Sequence, residues 1–180
     1  MAVTKANISV KPMNVTWNGV DLGATEGGLE VSFMQESVEL KADQYGAHII
    51  DAFKVGCGIE DITVTLLETD HVKISALFDP IGGQFTPAAG TEVYGMGTGN
   101  NFSLMSASAQ KLVFHPTANG ALVLGDDLAF WKAVPVPGSL SYSGEDMSKA
   151  TITFKIYPDL TKHAAVQYMA IGDHTQSLPV

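Results

Sequence analysis

Five histidines, one cysteine and one pair of adjacent aspartates are the side chains that we consider as candidates for chemistry. The histidines are His48, His71, His115, His163 and His174. No two of them have the close spacing on a helix that brings metal ligands together. Cys57 stands alone between two glycines, so it offers one thiolate at most and no internal disulfide. We therefore predict no metal site and no cofactor.

The acidic pair Asp126-Asp127 has two interpretations. Paired carboxylates beside a histidine are suited to general acid–base catalysis. After Gly125, however, the pair is more typical of a turn, where short acidic side chains bind the local backbone. The chain has no Gly-x-Ser-x-Gly motif, and its glycine-rich stretch 95–100 lacks the Gly-Lys-Ser/Thr ending of a phosphate-binding loop. We predict that the protein is not an enzyme, and catalysis by Asp126, Asp127 and a histidine stays a residual hypothesis.

The charge of the chain argues against one large class of partner. The sequence holds 19 acidic and 10 basic residues, a net charge of −9, and every basic residue is a lysine. Without arginine there is no planar guanidinium group to form paired hydrogen bonds with phosphates or base edges, and the excess negative charge repels nucleic acid. The imbalance is concentrated in residues 1–70, with 11 acidic residues and 4 lysines. We expect no tight binding of DNA or RNA.

The composition indicates a single folded domain over residues 1–180. Hydrophobic residues make up 46% of the chain and charged residues 16%, which is typical of a packed globular protein. The first residues lack the apolar core of a signal peptide, and no stretch approaches the roughly 20 apolar residues that a membrane helix needs. We expect synthesis in the cytoplasm and no membrane association.

Alternation of apolar and polar residues predicts a mainly β fold. Asn18-Gly19 is a strong hairpin-turn dipeptide, because both residues tolerate positive φ. In 59–66, the apolar side chains of Ile62, Val64 and Leu66 should face a core. The residues predicted to point away from the core, here and in 29–33, are Glu30, Ser32, Asp61, Thr63 and Thr65. The apolar phase then shifts near 34–37, which predicts a β-bulge.

Further segments complete the predicted architecture. We predict an α-helix over 69–79, because a capping residue precedes an apolar stripe and Pro80 ends it. The remaining predicted strands are 104–108, 111–115, 121–124, 128–134, 140–143 and 151–157. Together these elements predict a β-sandwich or partly open barrel with one flanking helix. Residues 160–180 are weakly patterned and are expected to form a C-terminal arm.

The segment 38–53 is the least expected part of the pattern. Its middle is too long for a tight hairpin turn and too polar for a core, and loops of this length are usually functional. We therefore predict a long interaction loop near the N-terminus. Its candidate contact residues are Lys41, Asp43, Gln44, Tyr45, Gly46 and His48, with Tyr45 as the aromatic anchor and Lys41 and Asp43 as rim charges.

Two blocks of sequence resemble one known family. The first is WNGVDLGATEGG (17–28) followed by LKADQYG (40–46); the second is DLAFWKAVP (127–135), continued by LSYSG (140–144) and ITFKIYPD (152–159). Their order and spacing resemble the major tail tube protein of long-tailed bacteriophages, a family similar in fold to the tube subunits of type VI secretion systems. The resemblance spans about residues 14–159, except for the glycine-rich middle.

The resemblance implies a virion structural protein found in the phage tail and, during assembly, in the host cytoplasm. It implies hexameric rings that stack into a hollow tube through which DNA passes, with the 38–53 loop reaching the neighbouring ring. It also implies three kinds of partner: a tape-measure protein, tail-tip proteins and a tail terminator. If the polar faces Glu30/Ser32 and Asp61/Thr63/Thr65 line the bore, an acidic wall without arginine would let DNA slide without adhering.

A different class of function remains open from the sequence. A monomeric β-sandwich binding module for carbohydrate or surface recognition has the same fold signals. Such modules usually present several exposed aromatic side chains along a cleft or flat strip. The two tryptophans, Trp17 and Trp131, are far apart in the sequence, which favours the tube hypothesis.

Overall fold

A computed structural model describes residues 12–23, 25–41, 48–67, 70, 73–74, 77, 84–85, 93–94, 104–141 and 149–176. Almost all of them belong to strands or to the turns between strands. The strands are β1 (Met13–Trp17), β2 (Val20–Asp21), β3 (Thr25–Lys41), β4 (Ile49–Leu66), β5 (Gln84–Phe85), β6 (Val93–Tyr94), β7 (Gln110–Pro116), β8 (Leu128–Ser141), β9 (Lys149–Tyr157) and β10 (Met169–Ile171).

One antiparallel sheet forms the body of the protein. Its strand order is β2-β1-β7-β8-β9-β4-β3, with β10 paired to β8, and β5–β6 form a separate two-stranded sheet. The prediction of a mainly β fold is therefore confirmed. The predicted sandwich of two packed sheets is not found, and within the described ranges the sheet stays open at β2 and β3 instead of closing into a barrel.

The sheet curves strongly towards closure. β3 is one end of the strand order and β1 is next to the other end, yet Met13 and Val15 of β1 and Leu29 of β3 line one cavity of about 710 Å³. Strands at the two ends of a flat sheet would be too far apart to line one cavity. The right-handed twist of β-strands therefore brings the two ends together around the apolar face.

The core lies on that one face, as strand periodicity requires. In β9, residues alternate between buried and half-buried, and Ala150, Ile152, Phe154 and Ile156 are the buried set. Ile62, Val64 and Leu66 of β4 are also buried, which confirms the predicted core face of this strand. Trp17 joins the same cluster and donates its indole N–H to the carbonyl of Ala133 at 3.0 Å, so its one polar group is satisfied.

The predicted flanking helix over 69–79 is not confirmed. No α-helix can be delimited among the few residues of this stretch that the structure describes. Those residues nevertheless touch the core: Ile74 and Leu77 are buried in it, and the N–H of Ile74 donates to the carbonyl of Asp70 at 3.0 Å. In the described ranges, no helix has the length and hydropathy needed to cross a bilayer.

Several local predictions are confirmed. Asn18 and Gly19 have φ of 51° and 77°, the left-handed conformation that their turn requires, and β1 pairs with β2 across them. A register shift between Glu36 and Ser37 places a bulge inside the predicted range 34–37. Strands also form where predicted over 111–115 and 151–157.

Three other local predictions are wrong. Residues 104–108 contain a 3-10 helix, Met105–Ser108, and 121–124 form turns. Strands do form over 128–134 and over 140–141, the described part of 140–143, but the predicted break between them is wrong, because β8 runs unbroken through Pro135, Pro137 and Gly138 to Ser141. A register shift of the β8–β9 pair between Pro137 and Ser139 accommodates this passage.

Candidate assembly surface

A two-stranded arm projects beyond the body of the sheet. It consists of residues 33–41 of β3 and 49–58 of β4, and apart from the half-buried Gly56 and Gly58 every one of these residues is exposed. β3 and β4 are the longest strands, at 17 and 18 residues, because they continue past the core into the arm. The predicted loop 38–53 is therefore largely strand: β3 reaches Lys41 and β4 begins at Ile49.

One face of the arm is apolar. Met34, Val38 and Leu40 alternate along β3, so their side chains share a face, and Phe53 lies directly opposite Val38 on β4. Phe53 is 63% exposed and the other three are also exposed. A cross-strand pair of a β-branched and an aromatic residue holds the two strands in register. The face therefore presents large apolar side chains to water, with two acidic residues among them: Glu36, and Asp51 opposite Leu40.

The residues predicted to make contacts in the loop 38–53 fall partly inside the described structure. Lys41 ends β3 and forms an ion pair with Glu39, at 2.8 Å between Nζ and Oε2. His48 is exposed just before β4. Asp43, Gln44, Tyr45 and Gly46 lie outside the described residues, as do the glycine-rich stretch 95–100 and His71.

The predicted outward-facing residues form one polar surface on the side of the sheet opposite the core. Thr63 and Thr65 of β4 lie directly opposite Thr153 and Thr151 of β9, and the Thr63 and Thr153 hydroxyls are 3.4 Å apart. Glu30 of β3 is opposite Thr63, which adds it to the same surface. We call these residues, together with Asp61, the threonine face. Ser32 is exposed beside them, next to a register shift of β3 and β4.

Lysines on β9 neutralise part of this face. Lys155 Nζ lies 2.6 Å from Asp61 Oδ1, and Lys149 pairs with Glu26 at the other end of the strand. The hydrogen bond to Asp61 raises the pKa of Lys155, so the lysine is charged over the whole physiological range. The face is consequently hydroxyl-rich with paired charges, which is less acidic than the sequence alone predicted.

A second polar cluster lies where the C-terminal residues cross β7 and β8. The carboxylate of Asp127, which is 1% exposed, accepts from His115 Nδ1 at 2.7 Å and faces His174 Nε2 at 3.3 Å. Lys111 Nζ is 2.7 Å from His174 Nδ1. We call Lys111, His115, Asp127 and His174 the polar clasp. Burial and the nearby Lys162 ammonium lower the pKa of Lys111, against the opposing effect of Asp127.

The clasp brings Asp127, a residue of the acid–base hypothesis, together with two histidines. Sequence spacing gives no signal for it, since His115 and His174 are remote from each other along the chain. An Asp–His pair orients a catalytic imidazole in some enzymes, but that use requires a nucleophile at the second ring nitrogen. His115 Nε2 is buried without a hydrogen-bond partner in the described structure. Among the described residues, no group of three histidine, cysteine or acidic side chains is arranged so that it could hold a metal ion.

The clasp holds the C-terminal strap, which we define as residues 158–176. The strap lies along β8: Trp131 donates its indole N–H to the carbonyl of Val166, and Gly172 donates its N–H to the carbonyl of Asp127 at 2.8 Å. The ammonium groups of Lys111 and Lys162 lie 5.1 and 4.6 Å from the Trp131 ring centre. The predicted C-terminal arm 160–180 thus packs on the sheet as far as Gln176; 177–180 lie outside the described residues.

Comparison with known proteins adds no relative. The chain matches no protein-family model and no curated protein sequence.

Proposed function

We propose that the protein is a structural subunit that assembles with copies of itself into stacked hexameric rings, forming a hollow tube of the phage-tail type that conducts DNA. The observation that carries the proposal is the exposed apolar face of the arm. The resemblance of residues 14–159 to the major tail tube family supports the same assignment. Catalysis has no part in this function.

The arm favours assembly because a ribbon of two strands is only marginally stable in water by itself. Burying Val38, Leu40 and Phe53 would stabilise the assembly by roughly 1.5–3 kcal/mol for each side chain that becomes fully covered. Nothing within the described residues covers this face of the arm beyond its base. A second copy of the chain is the occupant that would cover it in every subunit of a stack.

The open sheet supports joining of subunits within a ring. Among the described strands β3 pairs only with β4, so its other edge carries unpaired backbone groups. The opposite end of the sheet is formed by β2 and β1. Long exposed edges of this kind recruit further strands. A head-to-tail contact between two different edges generates a ring when the rotation closes.

The threonine face suits the wall of a DNA channel. Its hydroxyls carry no charge, and its lysines are paired with carboxylates, so no free cation is presented to phosphate by the described part of this face. Counterion release by unpaired lysine or arginine is the main source of affinity for DNA. In the proposed tube DNA therefore passes without tight binding, and the tape-measure, tail-tip and terminator proteins are the expected partners.

Electron microscopy of the purified protein tests the proposal. The wild-type chain at high concentration should form hollow tubes or six-fold rings. The double variant Val38→Ser/Phe53→Ser removes apolar surface from the arm alone, so it should keep the circular dichroism spectrum of the wild type and lose the assemblies.

A matched control separates the arm from general surface hydrophobicity. Leu122 and Leu160 are 95% and 76% exposed and lie outside the arm, so Leu122→Ser/Leu160→Ser should assemble like the wild type. Tubes formed equally well by the arm variant would remove the arm from the mechanism. Strictly monomeric wild-type particles that bind glycans would contradict the tube and support the carbohydrate-binding module.

A further inference from the structure

We propose that the polar clasp is a pH-sensitive latch, which releases the C-terminal strap from β8 when His174 takes up a second proton. The latch is independent of the proposed tube function, because every contact it uses lies within one chain. Its geometry is a chain of hydrogen bonds from Lys111 through His174 to the buried carboxylate of Asp127, with His115 on the other side of that carboxylate.

The hydrogen-bond donors fix the protonation state of the closed clasp. An ammonium group has only donors, so His174 Nδ1 must accept from Lys111 and its Nε2 carries the proton that faces Asp127. The ring is therefore neutral when the clasp is closed. A second proton on Nδ1 would remove the acceptor of Lys111 and place two cations 2.7 Å apart.

A second proton on His115 would add a further positive charge to the clasp. Its Nδ1 donates to Asp127, which leaves Nε2 as the nitrogen that a second proton would occupy. That atom is buried with no hydrogen-bond partner in the described structure, so a proton there would have no acceptor. In acid, the single Asp127 carboxylate would face two imidazolium rings, with the Lys111 ammonium beside one of them.

The other charged groups near the strap have hydrogen-bond partners of their own. Asp173, next to His174, already accepts from Thr175 and Gln176, and those hydrogen bonds lower its pKa. Asp126 is exposed and accepts from Asn119. His163 caps the 3-10 helix Ala164–Val166 by accepting from the Ala165 N–H, so it makes a further specific contact on the strap.

Release of the strap would uncover a strand edge. β10 occupies the edge of β8 at Leu128, Ala129 and Phe130, beyond the point where β9 begins its pairing at Lys132. With β10 displaced, the backbone groups of these three residues lose their partner on that side. The latch thus controls whether this edge of β8 is available for another strand.

Hydrogen–deuterium exchange of the full chain, corrected for intrinsic rates, tests the latch. The amides of Trp131, bonded to the carbonyl of Tyr168, and Gly172 report on the strap. Their protection should fall as the pH is lowered from about 7.5 to about 5, by up to about tenfold per pH unit for each proton taken up. The amides of Ile152 and Phe154 in β9 should stay protected, which distinguishes strap release from unfolding.

Three variants assign the effect to named groups. His174→Gln keeps a donor for Asp127 but cannot take up the second proton, so the acid-induced loss of protection should fall to the smaller part that His115 contributes. Lys111→Met keeps the stem beside Trp131 and removes the charge facing His174, so the acid-induced loss should be strongly reduced. Lys162→Met is the matched control, since it also removes a cation from Trp131 but contacts no histidine, and it should retain the response.

Several results would overturn the latch. Protection of Trp131 and Gly172 that is unchanged between about pH 7.5 and about pH 5 would do so. So would an acid-induced loss that persists in Lys111→Met. If the strap amides of His174→Gln exchange fast at all pH values, that variant no longer reports on the latch, and the result for Lys111→Met decides whether the latch exists. A response that disappears in His163→Asn, which keeps an acceptor for the cap, would assign the effect to the cap instead of the clasp.

Discussion

Asp127 illustrates how a single buried carboxylate organises the C-terminal part of this protein. It lies just before β8, its side chain joins a histidine of β7 to one of the strap, and its carbonyl accepts from Gly172. A buried carboxylate is costly unless its oxygens are hydrogen-bonded. The two histidines satisfy this need, which explains why polar side chains converge on an otherwise apolar pair of strands.

Asp127→Asn should lower the free energy of unfolding by about 1–3 kcal/mol, because one of the two histidine contacts then meets an amide donor instead of an acceptor. Urea denaturation measures the change. Asp126→Asn is the matched control: Asp126 is adjacent in sequence but exposed, so its substitution should cost less than about 0.5 kcal/mol. Equal effects of the two substitutions would show that the clasp contributes nothing to stability.

Residue-level predictions from the sequence succeeded where strand periodicity decides them. The outward direction of Asp61, Thr63 and Thr65 follows from alternation, and the structure confirms it by burying the residues between them. The contact of His174 with Asp127 depends instead on the path of the strap across β8. No local pattern encodes that path, so the clasp could not be predicted.

At the scale of elements, the arm shows why the segment 38–53 was taken for a loop. A half-buried strand can be recognised in a sequence because polar residues alternate with apolar ones. Both faces of the arm are exposed to solvent, so this alternation is not required there. Bulges at Val55 and Ile50 interrupt it further. The β-branched and aromatic residues Val38, Ile49 and Phe53 were the informative signal. The core strands were predictable because burial imposes a period, whereas an exposed ribbon has no such constraint.

The strap is a second element whose stability depends on specific polar contacts. Asp159 accepts from the hydroxyl and the N–H of Thr161, and Lys132 Nζ lies 3.6 Å from it. Burial by itself would raise the pKa of Asp159, but these hydrogen bonds and the lysine outweigh it and lower the pKa below 3.8. The ionised carboxylate thus stabilises the turn that starts the strap.

The lowered pKa of Asp159 fixes the sign of a pH effect. Its contribution to stability is fully present above pH 3.8 and is lost as the pH falls through the lower value of the folded state. Asp159→Asn should therefore lose less stability than the wild type when thermal unfolding is measured at successively lower pH below about 4. Parallel curves for the variant and the wild type would show that this carboxylate is not linked to folding.

On the scale of the whole molecule, net charge opposes the association that the apolar arm favours. Each copy carries a net charge of −9, so copies in the proposed ring would repel one another at low ionic strength. Salt shortens the Debye length from about 10 Å at 0.1 M to about 3 Å at 1 M. Screening removes most of the repulsion between exposed carboxylates, while burial of Val38, Leu40 and Phe53 is not weakened by salt.

The critical concentration for tube formation should therefore fall as sodium chloride is raised across that range, as measured by pelleting and microscopy. Glu36 lies on the apolar face of the arm, opposite Gly56, and Glu36→Gln should lower the critical concentration most at low salt and reduce the salt dependence. Glu60→Gln, which removes the same charge from an exposed site outside the arm, is the control and should have the smaller effect. Assembly that weakens with added salt would mean that ion pairs, not the apolar arm, hold the copies together.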